Sequence, residues 1–257
     1  MNLIAEVKEG EFHFVETEES IADSFGDCLG GLVSIVADEI YITLQEHESI
    51  VPCRITKVYS ESNGNCFKMP QLFSGDHKET VFMLTIPGYT GVIEQDITIA
   101  PVSAQCAYRL VKTGEVLNAR ASLSFNVTEA DVAITIEEEV YVHLGRVMTS
   151  EILKQASAQA NANNLAIARA TCDTGISYLT SLPVASHSTI VVLIKDLQDA
   201  KARFADRQTW EYGGKAKVSS MFKGHYAQKS TVSSEIYTTS VQKSYKAAAK
   251  KAISHPN

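Results

Sequence analysis

The sequence predicts an α+β fold, in which an antiparallel β-sandwich of about seven strands is followed by a small α-helical segment. Two patterns of apolar residues support this division. Between residues 37 and 139, apolar residues recur mostly at every second position and turn residues recur at short intervals, as in antiparallel sheets. From residue 140 to 212, apolar residues recur at helical spacing and alanine is frequent, which favours antiparallel helices with short connections.

A strand and a helix are expected ahead of the sandwich, within residues 1–36. The strand is predicted at residues 11–15, where Glu11-Phe12-His13-Phe14-Val15 alternates polar and apolar side chains. Thr17 or Ser20 can cap the following helix. That helix has an apolar stripe at helical spacing, formed by Ile21, Phe25, Leu29 and Leu32. Gly30-Gly31 lies within the stripe and indicates a close backbone approach or a change of direction.

Seven segments of the sandwich region have the pattern of strands. Ser62-Asn63-Gly64-Asn65 is a turn cluster, and Asn-Gly is a strong signal for a hairpin between the segments on either side of it. Pro101 marks an edge or a bulge. The predicted strands are residues 39–45, 54–60, 66–73, 80–86, 93–110, 116–127 and 132–136.

Three helices are predicted in the segment that follows. The first covers residues 137–160 and ends at a polar break of asparagines. The second covers residues 165–179 and ends before Pro183. The third is expected to be capped by Ser186 or Ser188 and to end near Phe204.

The last region, residues 213–257, is rich in Ser, Lys and Tyr. We expect residues 216–239 to be loop-like and residues 240–253 to form a basic helix. From Arg207 to the end the chain carries nine Lys or Arg and two Glu, whereas the residues before it carry 14 Lys or Arg and 28 Asp or Glu. A basic tail therefore follows an acidic body.

Parts of the sequence resemble a known family. The aromatic strand Phe12-His13-Phe14-Val15 and the helix containing Ser24-Phe25-Gly26-Asp27-Cys28-Leu29-Gly30-Gly31 are similar to the closing strand and last helix of a von Willebrand factor A (vWA) domain. The turn and strand from Asp76 to Pro87, and the Gly-Gly and Ser/His/Tyr-rich stretch after residue 212, extend this resemblance. It implies the C-terminal half of such a protein, as in bacterial vWA proteins and plant vWA-RING ubiquitin ligases, with the vWA body missing.

The sequence contains none of the motifs for catalysis or metal binding that we considered. The metal-dependent adhesion site that the resemblance implies needs Asp-x-Ser-x-Ser, which the sequence lacks. Nucleophile-elbow, P-loop, dinucleotide and zinc-protease motifs are also missing. We therefore predict a protein that is not an enzyme, without catalytic, cofactor-binding or metal-binding residues and without a small-molecule substrate.

The cellular setting is predicted from hydropathy and cysteine usage. No apolar run is long enough to cross a membrane, and the N-terminus is unlike a signal peptide, so we expect a cytoplasmic protein. The five cysteines are widely spaced and form no Cys-x-x-Cys pair, so we expect reduced thiols. Cys28 is expected to be buried, because it lies beside the apolar stripe.

Three interpretations of the basic tail remain open: intramolecular docking on the acidic body, disorder, and binding to nucleic acid or a membrane surface. We predict that the tail docks on the acidic body. Exposed ion pairs contribute only ~0–1 kcal/mol each, so apolar anchors must add to them. The interaction residues that we predict are Trp210, Tyr212, Met221, Phe222 and Tyr226. Nucleic-acid binding is less favoured, because arginine is scarce in the tail.

The function that the sequence indicates is a non-catalytic protein-interaction or scaffolding module of the vWA type, with a protein partner that it does not identify. One alternative is an accessory, substrate-binding part of a ubiquitin-ligase assembly, although no RING-type Cys/His cluster is present. A further alternative is binding to nucleic acid or a membrane surface through the basic tail.

Overall fold

The structure is a computed structural model in which residues 15, 17, 19–60, 64–88, 97–128, 136–230 and 235–254 are described. These residues divide into two compact units. One unit comprises the described residues up to Ser34, those from Ile136 onward, and Phe73–His77. The other comprises the rest of the described residues, between Ile35 and Thr135. The first is built mainly from helices and the second from strands, so the fold is of the α+β class.

This division differs from the four regions that the sequence suggests. The first helix, α1 (Glu19–Val33), belongs to the same unit as the helices after residue 136. The basic residues after 213 also belong to that unit. The strand predicted at residues 11–15 lies outside the described residues apart from Val15, which is exposed.

Four helices follow one another in the helical unit: α2 (Glu138–Asn161), α3 (Leu165–Ser181), α4 (Ser188–Arg203) and α5 (Lys215–Ala227). The first three lie where the apolar spacing predicts them. Asn163 adopts a left-handed φ of 65° in the break between α2 and α3, a conformation that asparagine tolerates better than most residues. The cap predicted for α4 is wrong, because the ring of His187, and not Ser186 or Ser188, accepts a hydrogen bond from the Thr189 N–H.

The core of this unit lies between these four helices. It is lined mainly by aliphatic side chains of α2, α3 and α4 and by Val218 and Met221 of α5, together with Phe204 and Trp210. Their rings lie 5.0 Å apart and are tilted by 43°, within the range of favourable aromatic pairs. The largest side chains without solvent exposure, or nearly so, include Leu153, Leu179, Ile190, Leu193, Leu197, Phe204, Trp210, Val218 and Met221.

A kink separates α4 from α5 and corrects the prediction for the tail. After a single turn at Arg207–Thr209, the segment Trp210–Gly214 forms a wide turn in which Gly213 has a φ of 101°. Glycine is suited to this conformation because it has no Cβ. Beyond the kink the chain is helical again as α5, so residues 216–227 are not loop-like as the sequence suggested.

The last helix, α6 (Ser240–Ser254), follows a short 3₁₀ turn at Glu235–Tyr237. It corresponds to the basic helix predicted at residues 240–253, and that prediction is confirmed. It packs against α1 in the antiparallel direction, since Asp23 is paired with Lys250 and Asp27 with Lys246.

The strands form two sheets and, apart from Phe73, belong to the second unit. The strands along the chain are β1 (Ile35–Glu46), β2 (Arg54–Val58), β3 (Cys66–Met69), β4 (Leu72–Phe73), β5 (Phe82–Thr85), β6 (Ile97–Leu110) and β7 (Val116–Val127). A five-stranded sheet has the main order β3-β1-β6-β7, with β4 also paired to β1. Neighbours along the main order are antiparallel. The register between β6 and β7 shifts between Ile99 and Val102, which confirms a bulge at Pro101.

The second sheet consists of β2 and β5 alone. The hairpin predicted around Asn63-Gly64 is therefore wrong, because β2 pairs with β5 and β3 pairs with β1. The described strands form one large and one small sheet, rather than two sheets of similar size. A small core of Val51, Cys53 and Ile99 lies in this unit, with Leu84 and Phe125 packed against it. The strand predicted at residues 132–136 lies outside the described residues apart from Ile136.

Candidate interaction surface on helix α1

Helix α1 turns its apolar stripe toward solvent. Phe25, in the middle of this 15-residue helix, is 64% exposed. Leu32, in its last turn, is 69% exposed. The other exposed members are Ile21, Leu29 and Val33. We call these five residues the α1 stripe. The apolar stripe predicted from the sequence is therefore present, but it does not form part of the core. Cys28, which was expected to be buried beside it, is only half-buried.

The opposite face of α1 carries small residues and packs against α6. A Cβ at Gly26 would lie 2.6 Å from the Cα of Lys246, and one at Gly30 would lie 2.8 Å from the Cα of Gln242. Neither distance leaves room for a side chain, so the two backbones are in direct contact. The spacing Gly-x-x-x-Gly is the signal in the sequence for this contact, since residues four apart share one helix face.

A buried carboxylate lies at the centre of the contact between α1 and α6. Asp27 is fully buried, and its Oδ2 lies 3.0 Å from Nζ of Lys246, which is itself 10% exposed. The Ser230 hydroxyl donates to Oδ1 of Asp27 over 3.1 Å. The side-chain amide of Gln242 donates to the backbone carbonyl of Asp27 over 3.4 Å. A buried charge needs this kind of pairing, because desolvation without a partner costs several kcal/mol.

The start of α6 is fixed by a reciprocal cap. The Thr239 N–H donates to Oε1 of Gln242 over 2.9 Å, and the Gln242 N–H donates to Oγ1 of Thr239 over 3.3 Å. This is the arrangement of a capping box, which satisfies two backbone donors that a helix start leaves unpaired. Gln242 therefore serves both the cap of α6 and the contact with α1.

The interaction residues predicted in the tail have different environments. Trp210 and Met221 are buried in the helical core, with exposures of 0% and 1%. Phe222 and Tyr226 are half-buried, and their rings lie 5.7 Å apart. Tyr212 lies in the kink and is 89% exposed. The structure thus does not bring these five residues together as one surface.

A buried histidine connects α5 to the segment before α6. His225 has no solvent exposure; its Nε2 lies 2.8 Å from Oδ2 of Asp196, and its Nδ1 lies 3.0 Å from the hydroxyl of Tyr237. Arg146 donates to its backbone carbonyl over 3.0 Å. The order carboxylate, imidazole, hydroxyl could relay a proton, but the burial of the ring favours a structural role. No sequence motif marked it, because Asp196 and His225 lie on different helices.

Comparisons with known proteins add little to this geometry. No protein-family model matches the chain, and no curated protein does either. A solved structure is similar to it. This is the crystal structure of the ArnB paralog VWA2 from Sulfolobus acidocaldarius, with 13% sequence identity and a TM-score of 0.41. The similarity covers 76% of this chain and 44% of that chain. Likeness at this level does not establish a common fold.

In the part of the chain that the structure describes, no group of three or more His, Cys, Asp or Glu residues could hold a metal ion. Among the same residues, no helix combines the length and the apolar character that a bilayer crossing requires.

Proposed function

We propose that the chain is a protein-interaction module and that the α1 stripe docks on an apolar surface of a partner protein. The observation that carries this proposal is the orientation of α1, whose five apolar side chains are exposed while its small and polar face is buried. Contiguous exposed apolar patches of this kind mark interaction sites. Fully burying a Leu, Val, Ile or Phe side chain contributes about 1.5–3 kcal/mol, so the stripe can act as an energetic centre.

The charges of α1 favour a protein surface over a membrane. Helices that lie on anionic lipid carry Lys and Arg on their polar face. The sequence of α1 contains no Lys or Arg, and its acidic residues are Glu19, Asp23 and Asp27. A neutral, apolar surface of a folded protein is therefore the better match.

The finer proposal is a non-catalytic scaffolding role of the vWA type. It is supported by the residue pattern of the N-terminal strand and helix, which resembles the end of a vWA domain. It is also supported by the rigid attachment of α1, since glycine contacts and a buried ion pair hold its other face. A rigid helix loses little entropy on binding, which favours affinity.

To test this proposal, a photo-crosslinking amino acid replaces Phe25 in the full chain, which is expressed in the cells that naturally make this protein. The control places it at Ile167 on α3, which is 54% exposed. The captured partner is then purified, and its binding to wild type, Phe25→Ser, Leu32→Ser and Ile167→Ser is measured by calorimetry.

We expect crosslinks from Phe25 and at least a tenfold loss of affinity in each stripe variant, because about 1.4 kcal/mol of burial is a factor of ten. Ile167→Ser should bind as wild type does. The proposal fails if position 167 captures the same partner equally well, or if Phe25→Ser and Leu32→Ser leave the affinity unchanged.

A further inference from the structure

The large sheet has two edges of unequal character. Along its main order the outer strands are β3 and β7. β3 has only four residues, including Lys68, and shortness and lysine both discourage pairing with another chain. β7 has 12 residues, VLNARASLSFNV, with one charged residue and no proline. Among the described strands, β7 is therefore the long outer edge without these protective features.

The side chains of β7 alternate regularly along its whole length. Successive residues of a strand point to opposite faces of the sheet. One face of β7 is apolar: Leu117, Ala119, Ala121, Leu123, Phe125 and Val127. The other is mostly polar: Val116, Asn118, Arg120, Ser122, Ser124 and Asn126. The bulge lies on β6, so this alternation in β7 is not interrupted.

The apolar face of the sheet continues to this edge but becomes exposed there. Phe67, Ile42, Cys106 and Ala119 form one row across β3, β1, β6 and β7. Phe67 is buried at 4%, Ile42 and Cys106 are half-buried, and Ala119 is exposed. In the next row Leu44 is buried, Ala104 is half-buried and Ala121 is exposed. A further strand beside β7 would extend the apolar face.

We propose that the occupant of this edge is the β7 strand of a second copy of the chain, paired antiparallel around a two-fold axis at Ala121. In that register Ala119 faces Leu123 of the second copy and Leu117 faces Phe125, so apolar residues meet apolar residues. Arg120 faces Ser122, so the one charged residue does not directly oppose itself. The two sheets then form one continuous sheet, with an interface in which the same patch serves both copies.

The register is tested by changing the charge at the two-fold axis. Ala121→Lys places two lysines opposite each other, and Ala121→Glu does the same with carboxylates. Like charges directly opposite destabilise strand pairs, so each variant should raise the dimer Kd by about tenfold or more in sedimentation velocity. Mixing the two variants should restore association, because Lys then faces Glu. Ser122→Glu should lower the Kd a few-fold, because it places a carboxylate opposite Arg120.

Gln45→Lys is the matched control, since Gln45 is exposed on the inner strand β1; its Kd should equal that of wild type. Circular dichroism checks that each variant is folded. A wild-type chain that stays monomeric over the full concentration range overturns the proposal. The proposal is also overturned if both Ala121 variants still dimerise as wild type does, or if mixing Ala121→Lys with Ala121→Glu does not restore association. If Phe25→Ser abolishes the dimer and the Ala121 variants do not, the interface lies on the α1 stripe and the proposal is wrong.

Discussion

At the scale of single residues, Asp27 determines how α1 and α6 are joined. Its carboxylate is fully buried, and its partners include Lys246 and Ser230. A buried pair of this kind contributes little net stability, because desolvation offsets most of the attraction between the charges. The pair specifies register, because one alignment of α1 and α6 brings Lys246 to this carboxylate.

Removing one member of the pair should therefore be costly. We expect Asp27→Ala to lower the free energy of unfolding by about 3–5 kcal/mol, because the buried Lys246 ammonium loses the charge of the Asp27 carboxylate. Urea denaturation measures the loss. Lys250→Met is the control, since Lys250 is 59% exposed in its pair with Asp23 and should contribute only ~0–1 kcal/mol. Equal losses in the two variants would contradict this account.

Cys172 should be unreactive in the folded protein. It is fully buried, and its burial raises the pKa of the thiol to about 12, with a smaller contribution from Asp173. Thiolate is the reactive form. At pH 8 a thiol reagent should modify the exposed Cys66 rapidly and Cys172 only after unfolding. Peptide mass spectrometry separates the two sites, and similar rates at both in folded protein would refute the prediction.

The same shift predicts a loss of stability in alkali. The folded state favours the protonated thiol of Cys172, whereas in the unfolded chain the pKa is near its ordinary value of 9.0. The contribution of this thiol to the free energy of unfolding is complete below pH 9.0 and is lost as the pH rises toward about 12. The melting temperature of wild type should fall more steeply above pH 9.0 than that of Cys172→Ala. Parallel curves would show that another group is responsible.

At the scale of elements, the three helices α2 to α4 were predictable because each has an apolar face repeated over several turns. Helix α5 was not, because its sequence KAKVSSMFKGHYA has a single short apolar repeat, Val218, Met221 and Phe222, among Lys, Ser and Gly residues. It is helical because Val218, Met221 and His225 are buried against other helices. Tertiary packing therefore outweighs a weak local preference here.

Pairing between strands was less predictable than the strands themselves. The Asn-Gly signal describes a turn, but a strand pairs with whichever neighbour buries its face, and β2 and β3 pair with different strands. The same limit applies to α1. The spacing of the stripe was evident in the sequence, but an apolar stripe is usually buried, and only the contact of Gly26 and Gly30 with α6 shows which face is covered.

Two glycines of α1, Gly26 and Gly31, provide a matched test of the helix contact. Gly26→Ala would place a Cβ 2.6 Å from the Lys246 backbone, whereas Gly31→Ala meets nothing closer than Phe73 Cζ at 3.6 Å. Alanine favours helix over glycine by about 1 kcal/mol. Gly31→Ala should therefore raise the midpoint of thermal unfolding slightly, and Gly26→Ala should lower it by several degrees. Equal shifts in the two variants would show that α6 does not touch α1 at Gly26.

At the scale of the whole molecule, the helical unit is assembled from segments far apart in the chain. Ser230 and Asp27 are separated by 203 positions, and Gln242 and Asp27 by 215. Sequence patterns within a window of ten or twenty residues carry no record of such contacts. This is why the division into units differs from the regions expected from composition, although the α+β class was predictable.

Removing α6 should loosen α1 and leave the other helices protected. We expect a chain truncated after Thr239 to lose at least tenfold in hydrogen-exchange protection within residues 19–33, because the buried face of α1 becomes exposed to water. Residues 165–181 should exchange as in the full chain. Mass spectrometry of peptic fragments measures both regions, and unchanged protection of α1 in the truncated chain would contradict the proposed packing.

The pairing of Asp27 with Ser230 and Lys246 also has a consequence during synthesis. Ribosomes add about 5–20 residues per second. The 203 positions between Asp27 and Ser230 therefore correspond to a delay of roughly 10–40 s. During that delay the small-residue face of α1 is uncovered because α6 has not been made, and it adds to the apolar stripe that is exposed even in the folded chain. We expect a nascent chain in this state to depend on a cotranslational chaperone until translation reaches α6.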